Sequence, residues 1–188
     1  MKTPAMGVYY SRGDYAGFWR RLLVDVIDFT LLLVVVVAIA LGAPRILPNG
    51  EQAIPHVFFW SGIALGFLYL VLLKHSRFRT LGYLVGGIRI VSIQGQRPSI
   101  WSLTIRALFA FFGPLNMLID ILWLTSDERR QALRDKFAHT YVIRNRAIPV
   151  GKGAIAYVPY TIFGANFVFA EVRPITDAAA VQAVGADR

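Results

Sequence analysis

Apolar residues fall in four blocks along the chain, each with a different flank. From Phe29 to Pro44 sixteen uncharged residues precede Arg45, fewer than the ~20 a helix needs to cross a bilayer. A first span over about 22–43 must therefore begin near Leu22, which draws Asp25 and Asp28 into it. At 1.5 Å per residue, Asp28 then lies about 9 Å along the helix from Leu22. An unpaired carboxylate at that depth costs roughly 3 kcal/mol or more, so Asp28 is expected to face protein or water. The second block, IPHVFFWSGIALGFLYLVLL over 54–73, carries no formal charge and is closed by Lys74, His75 and Arg77. Gly62 and Gly66 offer a flat strip that another helix can approach closely. The third block, 98–124, contains Arg106, Gly113-Pro114 and Asp120. It fits either one kinked span or a re-entrant helical hairpin. The fourth, Gly153 to Ala170, is uncharged but holds Pro159, Gly164 and Asn166. It fits a weak extra span, an interfacial element or a hairpin, and a non-spanning element is preferred.

Between the blocks, GGIRIVS (86–92) and HTYVIRN (139–145) alternate with the period of a strand. Each follows a short amphipathic run, LGYLV and ALRDKFA. Two such strands can pair if they lie on the same side of the membrane. The basic residues place them there. Four precede or include Arg21, one stands at Arg45, five lie from Lys74 to Arg97 and seven from Arg129 to Lys152. The positive-inside rule then makes the N-terminus, the middle loop and the distal segment all cytoplasmic. A single third crossing would export the most basic segment, so the hairpin broken at Gly113-Pro114 is preferred. The expected fold is an all-α integral membrane protein, a helical bundle with short cytoplasmic strand-like segments. Its expected parts are a basic N-terminal segment (1–21), a membrane domain (22–146) and a C-terminal tail (147–188).

Composition agrees with this class. The 188 residues are 56% hydrophobic and 16% charged, with a formal net charge of +9 and a mean hydropathy of +0.52. Excess base between apolar runs points to anionic lipid headgroups as partners. It does not point to nucleic acid, whose proteins gather their bases on one polar face. With no cysteine, disulfides and thiolate chemistry are excluded. Ala38-Ile39-Ala40 imitates a signal-peptide cleavage site, but the preceding region is long and aromatic and acids interrupt the apolar run. No Walker loop, GxSxG elbow or HExxH is present, and His56, His75 and His139 fall in separate segments. Neither an enzyme nor a resident cofactor or metal is expected.

The charges inside the apolar blocks are the candidate chemistry. Arg21 and Asp28, seven apart, share a helix face to within about 20° but are about 10 Å apart in height. Arg21 is therefore expected to snorkel to the interface or to pair with Asp25, four residues on. Asp25 and Asp28, three apart, are neighbours that call for a cation from another segment. Arg106 is the first candidate and Arg134 the second. The competing explanation is that acids at a helix N-terminus complement its dipole.

AGFWRRLLVDVID, FRTLGYLVGGIRIV, RPSIWSLTIRAL and LIDILWLTSDERRQALRDKFAHTYVI, in this order over about residues 15 to 146, resemble the RDD family of membrane proteins. By that resemblance the family's arginine and two aspartates correspond to Arg21, Asp28 and Asp135, with Asp120 the alternative for the last. The chain departs from the family at Arg134, where histidine is usual, at His139, where glycine is usual, and at Tyr83, where lysine is usual. His139, one helical turn beyond Asp135, is a partial substitute for the missing histidine. The resemblance implies a multi-pass protein, in a bacterial inner membrane, for which transport of small ions or solutes has been suggested. Asp28, with Asp25 and Asp120, would then relay a proton or small cation inside a homo-oligomer. The alternative is a non-transporting accessory or structural subunit of a larger membrane complex.

Overall fold

The computed structural model describes residues 6–46, 50–111, 120, 123–125, 127, 129–162 and 164–174. Helix α1 (Phe18–Gly42) and helix α2 (Gly50–Phe67) pack side by side. With their short continuations they form apolar rods of 28 residues (Phe18–Arg45) and 22 residues (Gln52–Leu73), each long and apolar enough to cross a membrane. Their leucine, valine and aromatic side chains point largely outward; Leu33, Val34, Phe59 and Trp60 are all more than half exposed. In a globular core that would be costly, and lipid is the environment that removes the cost. Gly62 contributes little to the contact, since a Cβ there would lie an ordinary 3.9 Å from Val36.

The start of α1 and the end of α2 lie together, and every described strand gathers at that end. Strand β1 (Met6–Tyr9) precedes α1, and helix α3 (Leu81–Gly86) and strand β2 (Ile88–Ser92) follow α2. Helix α4 (Ile100–Phe111) comes next, then helix α5 (Leu133–Phe137), strand β3 (Thr140–Arg144) and the long strands β4 (Gly151–Ile162) and β5 (Ala165–Pro174). Strands β2 and β3 pair antiparallel from Ile88↔Arg144 to Ser92↔Thr140. The others form an antiparallel sheet in the order β1-β4-β5. Val8, Tyr10, Tyr15, Ile93, Tyr141 and Val172 fill the space between the two sheets.

This sheet overturns the all-α expectation. The tail forms a β-hairpin, and the basic N-terminal segment supplies the third strand. Apolar residues on both faces of the hairpin hid its strand period. One face packs through Ala170 and Val172 against the tyrosine core and the other through Phe169 against Phe137 and Tyr160, while Tyr157 and Val168 remain exposed. Pro159 lies beyond Gly151–Ala154, the part of β4 that pairs with β1 among the described residues, and proline in a sheet is confined to positions where no ladder N–H is needed. The Gly113-Pro114 break of the third block lies outside the described residues.

Two units of the same form sit beneath the apolar helices: α3–β2 and α5–β3 each run from a short helix through one left-handed residue into a strand. That residue is Gly87 in the first (φ 61°) and His139 in the second (φ 51°). Glycine takes this conformation freely and histidine does not. The same φ takes His139 off the helix, which ends at Phe137, and its side chain is exposed. It therefore does not stand in for a histidine beside Asp135.

The hairpin is fastened by one buried lysine. Lys136, on α5, pairs with Asp127 at 2.6 Å and Glu171 at 2.8 Å, and lies 4.5 Å from the centre of the Tyr160 ring. Burial alone would push the Glu171 carboxyl up, but hydrogen bonds from Lys136 and Tyr160 outweigh it and hold the group below its ordinary value. Burial would lower the Lys136 ammonium, yet its bonds to Asp127 and Glu171 raise it.

Two outcomes are expected. His139→Gly should stabilise the protein by about 1 kcal/mol and Gly87→Ala should destabilise it by a similar amount or more, read from thermal unfolding in detergent. A depressed carboxylate stabilises above its unfolded value and loses that contribution as pH falls through the folded value. A raised lysine does the reverse at the alkaline end, so the fastening is whole between about pH 5 and 9. Amide exchange in β5, corrected for intrinsic rate, should therefore accelerate selectively near pH 3, and Glu171→Gln should remove that selectivity.

Candidate functional site

Where α1, the end of α2, α3, α4 and α5 meet, the chain buries a layer of charge. Among the described residues it contains four carboxylates (Asp25, Asp28, Asp120, Asp135) and four cations (Arg21, Lys74, Arg106, Arg134), and all but Lys74 are less than a tenth exposed. At 1.5 Å per residue, Asp28 lies about 15 Å from Phe18 in a rod about 42 Å long. The layer therefore lies about a third of the way along the rod.

Asp28 accepts from three protein donors and faces a cation. Its Oδ1 takes the Gly82 N–H at 2.8 Å and the Tyr69 hydroxyl at 3.0 Å. Its Oδ2 takes the Thr80 hydroxyl at 2.7 Å and faces Lys74 Nζ at 3.4 Å. The Gly82 bond caps α3 from a neighbouring helix, satisfying a first-turn N–H that has no partner within α3. Position 82 must be glycine for this: a Cβ would lie 2.5 Å from the Val24 carbonyl oxygen and 2.7 Å from Asp28 Oδ1. Tyr69 and Lys74 reach Asp28 together because Leu68–Leu73 is a π-helix. An α-helix would turn residues five apart about 140° away from each other, whereas i→i+5 bonding brings them to one face.

The second half of the layer is built around α5. Asp135 pairs with both Arg21 and Arg106 and accepts the Ala132 N–H at 3.1 Å. Arg21 also donates to the carbonyls of Ala16 at 3.0 Å and Arg130 at 2.6 Å, and Arg106 to the Thr140 hydroxyl at 2.9 Å. Arg134 donates to Asp25 at 2.6 Å. Its Nε lies 3.0 Å from Asp120 Oδ2, an ion pair not aligned for a hydrogen bond. Asp120 Oδ1 accepts the Arg134 backbone N–H at 2.6 Å, so Asp120 caps α5 as Asp28 caps α3. Burial would lower the Arg134 guanidinium, but Asp25 and Asp120 outweigh that and raise it; it remains charged.

All the predicted charges except His139 thus come together; Arg134, the second candidate, meets Asp25 as expected, and the other partners differ. Arg21 is 2% exposed; it neither snorkels nor pairs with Asp25, because the 130–135 segment folds over it and offers a carboxylate and a carbonyl. Arg106 goes to Asp135, and Asp25 is answered by Arg134. The cation at Asp28 is Lys74, unassigned from sequence although it is the first base after the second apolar block. Tyr69 and Thr80 were also unassigned, since nothing in a sequence period announces a π turn. Arg106 and Asp120, which a straight helix would place about 21 Å apart, are both tied to the adjacent residues Arg134 and Asp135. A cavity of about 20 Å³ lies among Asp25, Asp28, Lys74, Arg106 and Arg134, enough for about one water.

The model of the RDD family matches residues 15–139, which takes in α1 to α5 and every charge of the layer. No curated protein and no solved structure matches the chain.

Asp135→Asn leaves two buried arginines facing one neutral amide. It is expected to cost about 3–5 kcal/mol, seen as a large fall in midpoint on thermal unfolding in detergent. Arg144→Gln, on the exposed end of β3, should move it by less than about 0.5 kcal/mol.

Proposed function

The chain belongs to the RDD family of membrane proteins, and we propose that it exchanges a proton or a small hard cation at Asp28, with Lys74 as the built-in competitor for the carboxylate. The π turn is the observation that carries this reading. Wide turns of this kind concentrate at functional sites, and this one exists to bring a hydroxyl and an ammonium to the same carboxylate. The Lys74 tie is the longest in the layer at 3.4 Å, and its ammonium already lies 4.6 Å from the centre of the Tyr83 ring. Lys74 also lines both the small inner cavity and a wider pocket open to solvent. When Lys74 swings outward, Asp28 keeps the hydroxyl oxygens of Thr80 and Tyr69 beside it, an all-oxygen set suited to a hard cation. A proton on Asp28 would release Lys74 equally well, so proton and cation compete for one site. Asp25 and Asp120 hold Arg134 in place and do not themselves exchange.

Two long apolar helices are few to enclose a path, and a second copy of the chain is the proposed source of the other wall. The proposed setting is a bacterial inner membrane, crossed by α1 and α2, with the N-terminus and the sheets in the cytoplasm. The excess of base at that end supports this orientation.

A second reading rests on the exact balance of four charges of each sign. A layer so completely paired also serves as an interhelical tie in a non-transporting subunit. Purified protein in liposomes under a pH gradient separates the two. For exchange, the wild type moves a monovalent cation or protons and Asp28→Asn abolishes this with folded yield unchanged, while Lys74→Gln retains exchange with an altered pH profile. Wild-type exchange by Asp28→Asn would remove Asp28 from the mechanism. A silent wild type, with folded protein lost on Asp28→Asn, would support the tie.

A further inference from the structure

A second group of charges, all of one sign, adjoins the paired layer and shares only Lys74 with it. The end of α2, the loop into α3 and the turn after β2 enclose a pocket of about 300 Å³, whose lining includes Lys74, Arg77, Arg79, Arg89 and Arg97 but no carboxylate. We propose that this pocket binds a phosphate-bearing anion, in the first place the headgroup of an anionic phospholipid.

Three observations carry the proposal. The first is the donor set. Four of the five cations are arginines, whose planar forks match phosphate oxygens two at a time, and these four like charges around one small space repel one another until an anion enters. The second is that part of the set is fixed and part has no protein partner. Arg79 is anchored to Asn145 Oδ1 at 2.5 Å and Arg89 to the Ala147 carbonyl at 3.0 Å, while the buried Nε of Arg89 has no hydrogen-bond partner. Arg77 and Arg97 have no ion-pair partner among the described residues. The paired layer a few ångströms deeper, joined through Lys74, shows what this chain does with charges it neutralises internally. The third is position. Lys74 directly follows the last residue of the second apolar rod, and Phe78, Leu81, Leu84 and Val85, which alternate in sequence with the lining residues Arg77, Arg79 and Tyr83, are all more than 45% exposed. A basic hollow with an exposed apolar rim at the end of a membrane-length helix matches a phospholipid, with phosphate inside and acyl chains alongside the rim.

The test compares full-length wild type with Arg77→Gln/Arg97→Gln and with Arg12→Gln/Lys152→Gln, which removes the same charge from exposed positions elsewhere. Each protein is delipidated in mild detergent and titrated with phosphatidylglycerol or phosphatidylcholine, with bound lipid counted by native mass spectrometry. Inorganic phosphate and glycerol phosphate are titrated separately. Phosphatidylglycerol should bind the wild type and the control alike and the pocket variant about tenfold more weakly, with phosphatidylcholine weak throughout. Arg77→Lys/Arg97→Lys, which keeps charge but loses the forks, should fall between them and show that the variants fold. Phosphate binding with the same sensitivity to Arg77 and Arg97, without lipid preference, would uphold the site and assign it to a soluble anion. Equal lipid retention by pocket variant and control, with no binding of the soluble phosphates, would overturn the proposal. Lipid retention does not read Asp28, so this site and the exchange reading can fail separately.

Discussion

A charge taken out of water must be met by an opposite charge or by donors aimed at it, and that requirement organises the molecule. Asp28 stands on a helix whose remaining length is nearly all apolar, so its partners have to come from elsewhere in the chain. They come from the end of α2 and the start of α3, and meeting the carboxylate fixes where both elements lie. Asp135 and Arg134 do the same for α1, α4 and α5. Deep pairs of this kind contribute little net stability compared with apolar residues of equal size, but removing one partner is severe. The layer is therefore better understood as specifying which segments adjoin than as adding to the strength of the fold.

The two aspartates that cap short helices give this arrangement a repeated form. Asp28 receives the first turn of α3 and Asp120 that of α5, and each helix passes through a left-handed residue into a strand. The two strands then pair with each other. A buried carboxylate, a helix of five or six residues and a strand make one unit, and its two copies close on each other. Tyr83 and Arg134 fall one in each unit. The Tyr83 ring lies beneath Lys74, and Arg134 reaches two carboxylates.

How much was legible in the sequence depended on how local each signal was. The two apolar rods, the strands β2 and β3 and the charges of Arg21, Asp25, Asp28, Arg106, Asp120 and Arg134 follow from period and composition, and Asp135 from the resemblance to the family. Partners do not, because Arg21 to Asp135 spans more than a hundred residues and a helical wheel sees only its own turn. Lys74 was hidden by its position: a base just past an apolar block is ordinarily a solvated end marker, and only the π turn redirects it inward. The β4–β5 hairpin was hidden because its two faces are similarly apolar, so that a strand period of two looked like a continuous run. His139 was misplaced for a smaller reason, since one positive φ ends a helix that the residue pattern would have continued.

The sheet has a consequence for the order of biosynthesis. Strand β1 is made well before its partner β4, which starts at Gly151, so at about 5–20 residues per second it waits several seconds or more for a neighbour. Asp25 and Asp28 are likewise made before Lys74 and Arg134 exist. The nascent protein therefore passes through a stage in which its first apolar rod is complete while its acids are unanswered and its first strand waits for a partner. Chaperones or insertion factors that shield such a half-made chain would act in that interval.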